Sequence, residues 1–204
     1  MMIPSIDLIL ASGSATRRKM LEAAGVEFRV VTPDVDEEAA RRDLFDRNPD
    51  ATSTHVARLL AAEKANAVSR LHPAALVIGA DQVLEAGREV FTKSPDMDAA
   101  RAVIKSLSGR THRLLSAVAL AHGGGTVWQH LEVASLAMRD LSDEFLDDYL
   151  ARSGPRILAS VGAYELEGRG IQLFDRIDGD FFTILGLPLL ALLSELRTRG
   201  AIAT

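Results

Sequence analysis

Ser12-Gly13-Ser14-Ala15-Thr16-Arg17-Arg18 packs two serines and two arginines into one short turn. It follows the apolar run that starts at Ile6 and opens a segment of helical period running from Ala15 to Ala24. A turn that feeds a helix leaves free backbone N–H groups at the helix start, and such an end attracts anions. Cations in the first helical turn oppose the helix dipole, so a phosphate-binding role is the sharper reading of Arg17 and Arg18. The plainer reading, Ser14 as an N-cap beside solvated arginines, fits the spacing equally well. This is not a P-loop, because no Gly-Lys-Ser/Thr follows.

Further along, the chain offers carboxylates and ammonium groups at several places. Asp34, Asp36, Glu37 and Glu38 crowd one turn after Pro33. That turn is either a metal- or substrate-binding loop or, as is commoner for a charge run, a solvated one. Lys64 lies near the edge of an inward helical stripe, where a lysine either snorkels to water or reaches into a cleft. Asp81-Gln82 follows the apolar run Ala74–Ala80. An acid at the carboxyl end of a buried strand is where open α/β sheets place their chemistry, and bracing of a loop is the lesser alternative. Lys93 precedes Ser94-Pro95, and Glu165 and Glu167 sit in a glycine-punctuated stretch from Ser160 to Gly170. His55, His72, His112, His122 and His130 show no metal-ligand spacing and read as structural or exposed.

These groups need an α/β scaffold. Ile6–Leu10 and Ala74–Ala80 read as strands buried on both faces, and Glu27–Val31 as a short strand after a helix stop at Gly25. Residues 39–52 are polar and contain Asn48-Pro49, which predicts a surface excursion. Ser53 or Thr54 caps a helix to about Arg70 with Val56, Leu59, Leu60 and Ala67 inward. Val83–Glu85 and Glu89–Phe91 form a hairpin around Ala86-Gly87-Arg88, and Asp96–Leu107 is a helix. Thr111–Ala121 and Thr126–Arg139 pair as antiparallel strands across His122–Gly125. A helix from Ser142 to about Ala151, a strand from Ile171 to Ile177 and a last apolar helix after Gly186-Leu187-Pro188 complete the chain.

The 204 residues allow one large domain or two small lobes, with 48% hydrophobic and 25% charged residues as in ordinary soluble proteins. No apolar run approaches the roughly 20 residues of a membrane span, and no signal peptide is visible. With no cysteine the default address is the cytoplasm. A net charge of −5 argues against a general nucleic-acid binder. An anionic ligand then needs a local cationic pocket and a divalent metal.

Eight ordered motifs resemble the Maf family along essentially the whole chain. They are Leu10–Leu21, Pro33–Glu37, Ala62–Ala65, Ile78–Val83, Lys93–Pro95, Leu107–Gly109 with His112, Gly162–Tyr164 and Gly186–Leu189. The resemblance implies an inosine-triphosphatase-like α/β fold: one domain over 1–204, an elongated mixed sheet flanked by helices, and two lobes around a cleft. It implies a nucleoside triphosphate pyrophosphatase that cuts between the α- and β-phosphates with Mg²⁺ or Mn²⁺. It puts Ser12, Arg17 and Lys93 at the phosphates, makes Glu37 and Lys64 active-site groups, and makes Asp81 the proton acceptor. Glu37 and Asp81 are the candidate metal ligands, and Ser14 and Thr16 join the substrate-binding turn. A homodimer is suggested by the resemblance alone.

Substrate choice rests on three positions. In the branch acting on dTTP and UTP, arginine, threonine and glutamine stand where this chain has Thr16, Gln82 and Glu167. Gln82 and Glu167 instead resemble the branch acting on 7-methyl-GTP. A carboxylate accepts two hydrogen bonds from a guanine N1–H and 2-amino edge, which pyrimidines lack. Ala15 replaces a proline common in this turn. The alternatives are a dTTP/UTP pyrophosphatase and a non-catalytic nucleotide-binding regulator of septum formation; Asp81 and Lys64 count against the latter, since a carboxylate beside triphosphate does not help a pure binder.

Overall fold

The structure, a computed structural model, describes residues 6–203. It is a mixed α/β protein. Seven strands form one sheet in the order β2 (Arg29–Val30), β1 (Leu8–Ala11), β3 (Leu76–Ala86), β5 (Thr111–His122), β6 (Gly125–Met138) and β7 (Phe174–Asp178), with β4 (Glu89–Phe91) paired to β3. Strand β1 (Leu8–Ala11) is buried at all four positions and runs parallel to β2 (Arg29–Val30) on one side and β3 (Leu76–Ala86) on the other. Its register, Leu8↔Leu76 to Ala11↔Gly79, explains the unbroken apolar run, since a central parallel strand hides both faces. The strand starts two residues later than Ile6 suggests, because Asp7 is turned to solvent and holds Arg29 through two hydrogen bonds of 3.1 and 2.8 Å.

The chain divides into two compact units. The first comprises the chain to Asp81 with Ser116–Glu132 and the residues from Gly186. It holds α1 (Ala15–Ala23), α2 (Glu37–Arg47), α3 (Ser53–Leu71) and α7 (Leu189–Thr198). Ser14 caps α1 by accepting from the Arg17 N–H at 3.3 Å, as its position suggested. Helix α3 presents a ridge of Ala57, Ala61 and Ala65, all fully buried, beside Val56 and Leu60. Leu59 and Ala67, expected inside, are only half-buried. The alanine ridge rides directly on β3. A Cβ built at Gly79 would stand 2.2 Å from the Ala61 carbonyl oxygen and 2.6 Å from the Ala65 nitrogen. That close approach sets Lys64, the residue before Ala65, over the strand position two beyond Gly79. Gly79→Ala should therefore cost about 2–4 kcal/mol, as strained or overpacked backbone contacts do. The midpoint of urea unfolding reads it; an unchanged midpoint would mean that α3 shifts freely.

The surface excursion expected over residues 39–52 does lie at the surface, and most of it is a helix the composition did not announce: α2 occupies Glu37–Arg47. Asp36 caps it by accepting from the Ala39 N–H at 2.9 Å, Glu37 and Glu38 complement the dipole at its start, and Arg47 does so at its end. No residue of α2 is fully buried. A helix held by its ends and its charges shows no apolar period to read.

The second unit, Gln82–Leu115 with Val133–Leu185, has its own core built around Leu84, Ile104, Leu107, Leu114, Leu136, Tyr149 and Leu173. The hairpin of β3 and β4 (Glu89–Phe91) has the register Leu84↔Phe91 to Ala86↔Glu89, as expected. Helix α4 (Met97–Leu107) is capped by Asp96, and α5 (Asp143–Ser153) by Ser142. Strands β5 (Thr111–His122) and β6 (Gly125–Met138) contribute residues to both units. They join through Gly123 and Gly124 with φ of +61 and +83, the left-handed pair that a two-residue hairpin turn requires. The strand expected from Ile171 begins instead at Phe174: β7 is Phe174–Asp178, antiparallel to β6. Residues Arg169–Leu173 are a 3₁₀ turn, closed by the Gly170 N–H donating to the Glu165 carbonyl. A four-residue helix, α6 (Phe181–Ile184), follows Asp180, its cap.

Candidate active site

Within the first unit, long-range packing gathers charges that are far apart in sequence. The Lys64 ammonium lies 2.6 Å from Asp81 Oδ1 and 2.9 Å from Glu37 Oε1. The other Glu37 oxygen faces Arg41 Nη2 at 3.9 Å, so charges alternate in sign from Asp81 to Arg41. Side-chain exposure falls inward along this row, from 43% at Glu37 to 13% at Lys64 and 9% at Asp81. Asp81 Oδ2 is buried and has no hydrogen-bond partner among the described residues. A carboxylate held by one oxygen and bare at the other is oriented and still free to accept.

Asp81 is not at the end of its strand, as the apolar run suggested. Strand β3 continues to Ala86. What ends is the pairing with β1, whose last partner is Gly79, so the side chain at 81 emerges just past the parallel ladder. The chemistry expected of a strand end thus sits at the end of a neighbour.

Arg17 is braced by backbone. Its Nε donates to the Gly186 carbonyl and its Nη1 to the Ala80 carbonyl, each at 2.8 Å, and Nη1 also reaches Ser12 Oγ at 3.5 Å. Ser12 Oγ in turn accepts from the Ser14 N–H at 3.2 Å. Nη2 has no partner among the described residues. Arg18 points away and pairs with Glu22 at 2.7 Å on the exposed side of α1. Burial pushes the Asp81 carboxyl above the usual aspartate value; the Lys64 charge and hydrogen bond and the Arg17 charge oppose this, and Glu37 adds to it. Burial likewise lowers the Arg17 guanidinium, against the pull of Asp81 and Glu37.

Ser12, Arg17, Glu37, Lys64 and Asp81 are therefore brought together, with Ser14 joined through Ser12. Thr16 is half-buried on the first turn of α1. Gln82, Lys93 and Glu167 belong to the second unit. The Gln82 amide donates to the Thr183 and Ile184 carbonyls at 3.1 and 3.0 Å, tying β3 to α6. Lys93 and Glu167 are exposed there. Sequence reasoning missed Arg41, which lies in the stretch read as a surface excursion; with Glu37 as the first helical residue, its i+4 position is the available signal.

Among the described residues no group of three or more His, Cys, Asp or Glu is placed to hold a metal. A small hard cation needs fewer: magnesium commonly takes one or two carboxylates and completes its shell with water and phosphate oxygens. Glu37 and Asp81, sharing one ammonium and with Asp81 Oδ2 bare, fit that donor set. His112 is buried in the second unit, where burial and the nearby Arg110 charge hold it neutral with its pKa down to about 4. Among the described residues no helix is long and apolar enough to cross a membrane.

Strand-turn-helix, buried carboxylate and braced arginine belong to a mixed α/β protein whose charged side chains meet within the first unit. Residues 7–199 match the family model described as Maf-like protein, and the chain belongs to the Maf family. It is 51% identical over 195 residues to a Mesorhizobium japonicum protein named 7-methyl-GTP pyrophosphatase, covering 96% of this chain and 97% of that one. A Brucella abortus protein of the same name is 49% identical over 198 residues, covering 97% and 98%. A Paramagnetospirillum magneticum protein, 51% identical over 194 residues and covering 94% and 98%, is named nucleoside triphosphate pyrophosphatase.

Proposed function

We propose that this protein hydrolyses a nucleoside triphosphate between its α- and β-phosphates, with 7-methyl-GTP or another guanine-type nucleotide as substrate. The observation that carries the chemistry is Asp81, buried, fixed by Lys64 through one oxygen and, among the described residues, unpartnered at the other. Asp81 accepts a proton from water as the water oxygen bonds to the α-phosphorus. The bond from that phosphorus to the bridging oxygen breaks, and pyrophosphate leaves with the bond's electrons. Arg17, whose Nη2 has no partner among the described residues, together with Ser12 and Lys64, meets phosphate oxygens, where preorganised cations stabilise developing charge, and the family resemblance makes Lys93 a further phosphate contact. Ser14 holds the turn and Thr16 lines it. A magnesium or manganese ion held by Glu37 and Asp81 would neutralise phosphate charge.

The names of the relatives support the reaction and leave the base to be argued. Glu167 supports guanine, because its two oxygens match the adjacent donors of the guanine edge and a methylated guanine is cationic. Gln82 is the second base-selecting residue that the resemblance implies, and its amide also holds α6. The decisive experiment is pyrophosphate release over a nucleotide panel with Mg²⁺ or Mn²⁺. 7-Methyl-GTP should lead, and Glu167→Gln should lower its kcat/KM by roughly 5- to 150-fold, the worth of one mispaired polar group, with pyrimidines unchanged or improved. A wild-type profile led by dTTP or UTP would overturn the base assignment and keep the reaction. No release from any triphosphate would favour the non-catalytic regulator.

A further inference from the structure

Glu167 is exposed, yet the turn that carries it is pinned by buried groups on its N-terminal side. Tyr164 is 4% exposed, and its hydroxyl is hydrogen-bonded to His112 Nε2 at 2.7 Å. Its ring meets Phe174 edge-on with centroids 5.0 Å apart. The ring also crosses Gly162 so closely that a Cβ there would lie 2.3 Å from Tyr164 Cε1. Ala163 between them holds a φ of +55, a left-handed conformation that alanine rarely adopts, and the Tyr149 hydroxyl donates to its carbonyl at 3.4 Å. Leu166 is buried, and the Glu165 carbonyl accepts from both the Gly168 and Gly170 N–H groups at 3.1 Å. Glu167 is thus fixed between a buried residue and a closed turn.

His112 is an odd choice for filling this core. It is fully buried, and Nδ1 has no partner among the described residues. A leucine or phenylalanine would fill the space without leaving a polar atom unpaired, a cost that needs a return elsewhere. Among the described residues the one polar contact its ring makes is Tyr164, the residue at the root of the Glu167 turn. The strained Ala163 and the Gly162 contact show that the backbone there is held in a conformation it would not adopt alone.

We propose that His112 and Tyr164 are positioning residues for base selection: their hydrogen bond sets the 162–168 turn so that Glu167 is aimed at the nucleotide base. The inference rests on the reading of Glu167 as the base contact. The test measures kcat/KM for 7-methyl-GTP and for UTP in the wild type, Tyr164→Phe, Glu167→Gln and the double variant. Tyr164→Phe should lower the ratio of the two substrates roughly tenfold, within the range of coupled neighbours, through KM for 7-methyl-GTP. The double variant should discriminate no worse than Glu167→Gln alone. If Glu167→Gln lowers the ratio and Tyr164→Phe does not, this inference alone falls, even where the Tm of Tyr164→Phe drops. If Glu167→Gln leaves the ratio unchanged, the base-contact reading falls and this inference with it. Should Tyr164→Phe fail to fold, His112→Gln and His112→Leu decide. Glutamine retains a partner for the Tyr164 hydroxyl and should keep the ratio, leucine should lose it, and equal ratios in the two overturn the inference.

Discussion

Asp81→Asn is expected to fold and to release pyrophosphate roughly 10²–10⁴-fold more slowly, the usual contribution of a positioned general base. Asparagine keeps the size of the side chain and one oxygen for Lys64, now 2.6 Å from Oδ1, so the row from Asp81 to Arg41 loses little of its geometry. It loses the second carboxylate oxygen, the buried Oδ2 that has no partner among the described residues and would take the proton. Steady-state turnover, with circular dichroism to confirm the fold, reads the effect. Near-full turnover would remove Asp81 from the mechanism. A loss that disappears at saturating Mg²⁺ would reassign it from accepting a proton to holding the ion.

The same substitution should leave a mark on stability in the metal-free protein. Burial raises the Asp81 carboxyl, so the folded chain keeps its proton to higher pH than the unfolded one. Its contribution to stability is present below the ordinary aspartate value of 3.8 and is lost as pH rises through the raised value. Asparagine does not titrate. The stability difference between wild type and Asp81→Asn should therefore shift across that window and level off above it.

How legible the site was depended on what held each residue. The turn at Ser12–Arg17 was readable because its signals are local: an apolar run, a capping serine and a helical period. Asp81 stands out through a strand end that the structure moves to a neighbouring strand. An apolar run cannot show that β3 continues to Ala86 while its pairing with β1 stops at Gly79. Glu37 lay in an acidic run that more often means solvent, and the helix it begins has no apolar face to betray it. The meeting of Lys64 with Asp81 depends on an alanine ridge lying on a glycine, and neither residue type advertises that contact. Lys93, Gln82 and Glu167 came from family resemblance; nothing in their local spacing marks them.

Arg17 is the residue whose expected role changed most, and Arg17→Ala is expected to cost stability as well as turnover. Its guanidinium forks between the carbonyls of Ala80, the residue before Asp81, and Gly186, at 2.8 Å each. Hydrogen bonds to a charged group contribute about 1.5–3 kcal/mol each, so with part of the loss recovered by water the variant should fall by about 2–3 kcal/mol. Turnover should fall further, on the order of 10²-fold in kcat/KM, because a phosphate contact goes and the backbone entering Asp81 loosens with it. Arg18→Ala is the control: its pair with Glu22 is exposed and of the kind worth about 0.3–0.5 kcal/mol, so stability and activity should stay close to wild type. Arg17→Lys separates the two roles. An ammonium keeps the charge for phosphate but cannot span both carbonyls as the planar fork does, so activity should recover more than the unfolding midpoint. If Arg17→Ala and Arg18→Ala behave alike in both measurements, the brace and the phosphate contact are both wrong.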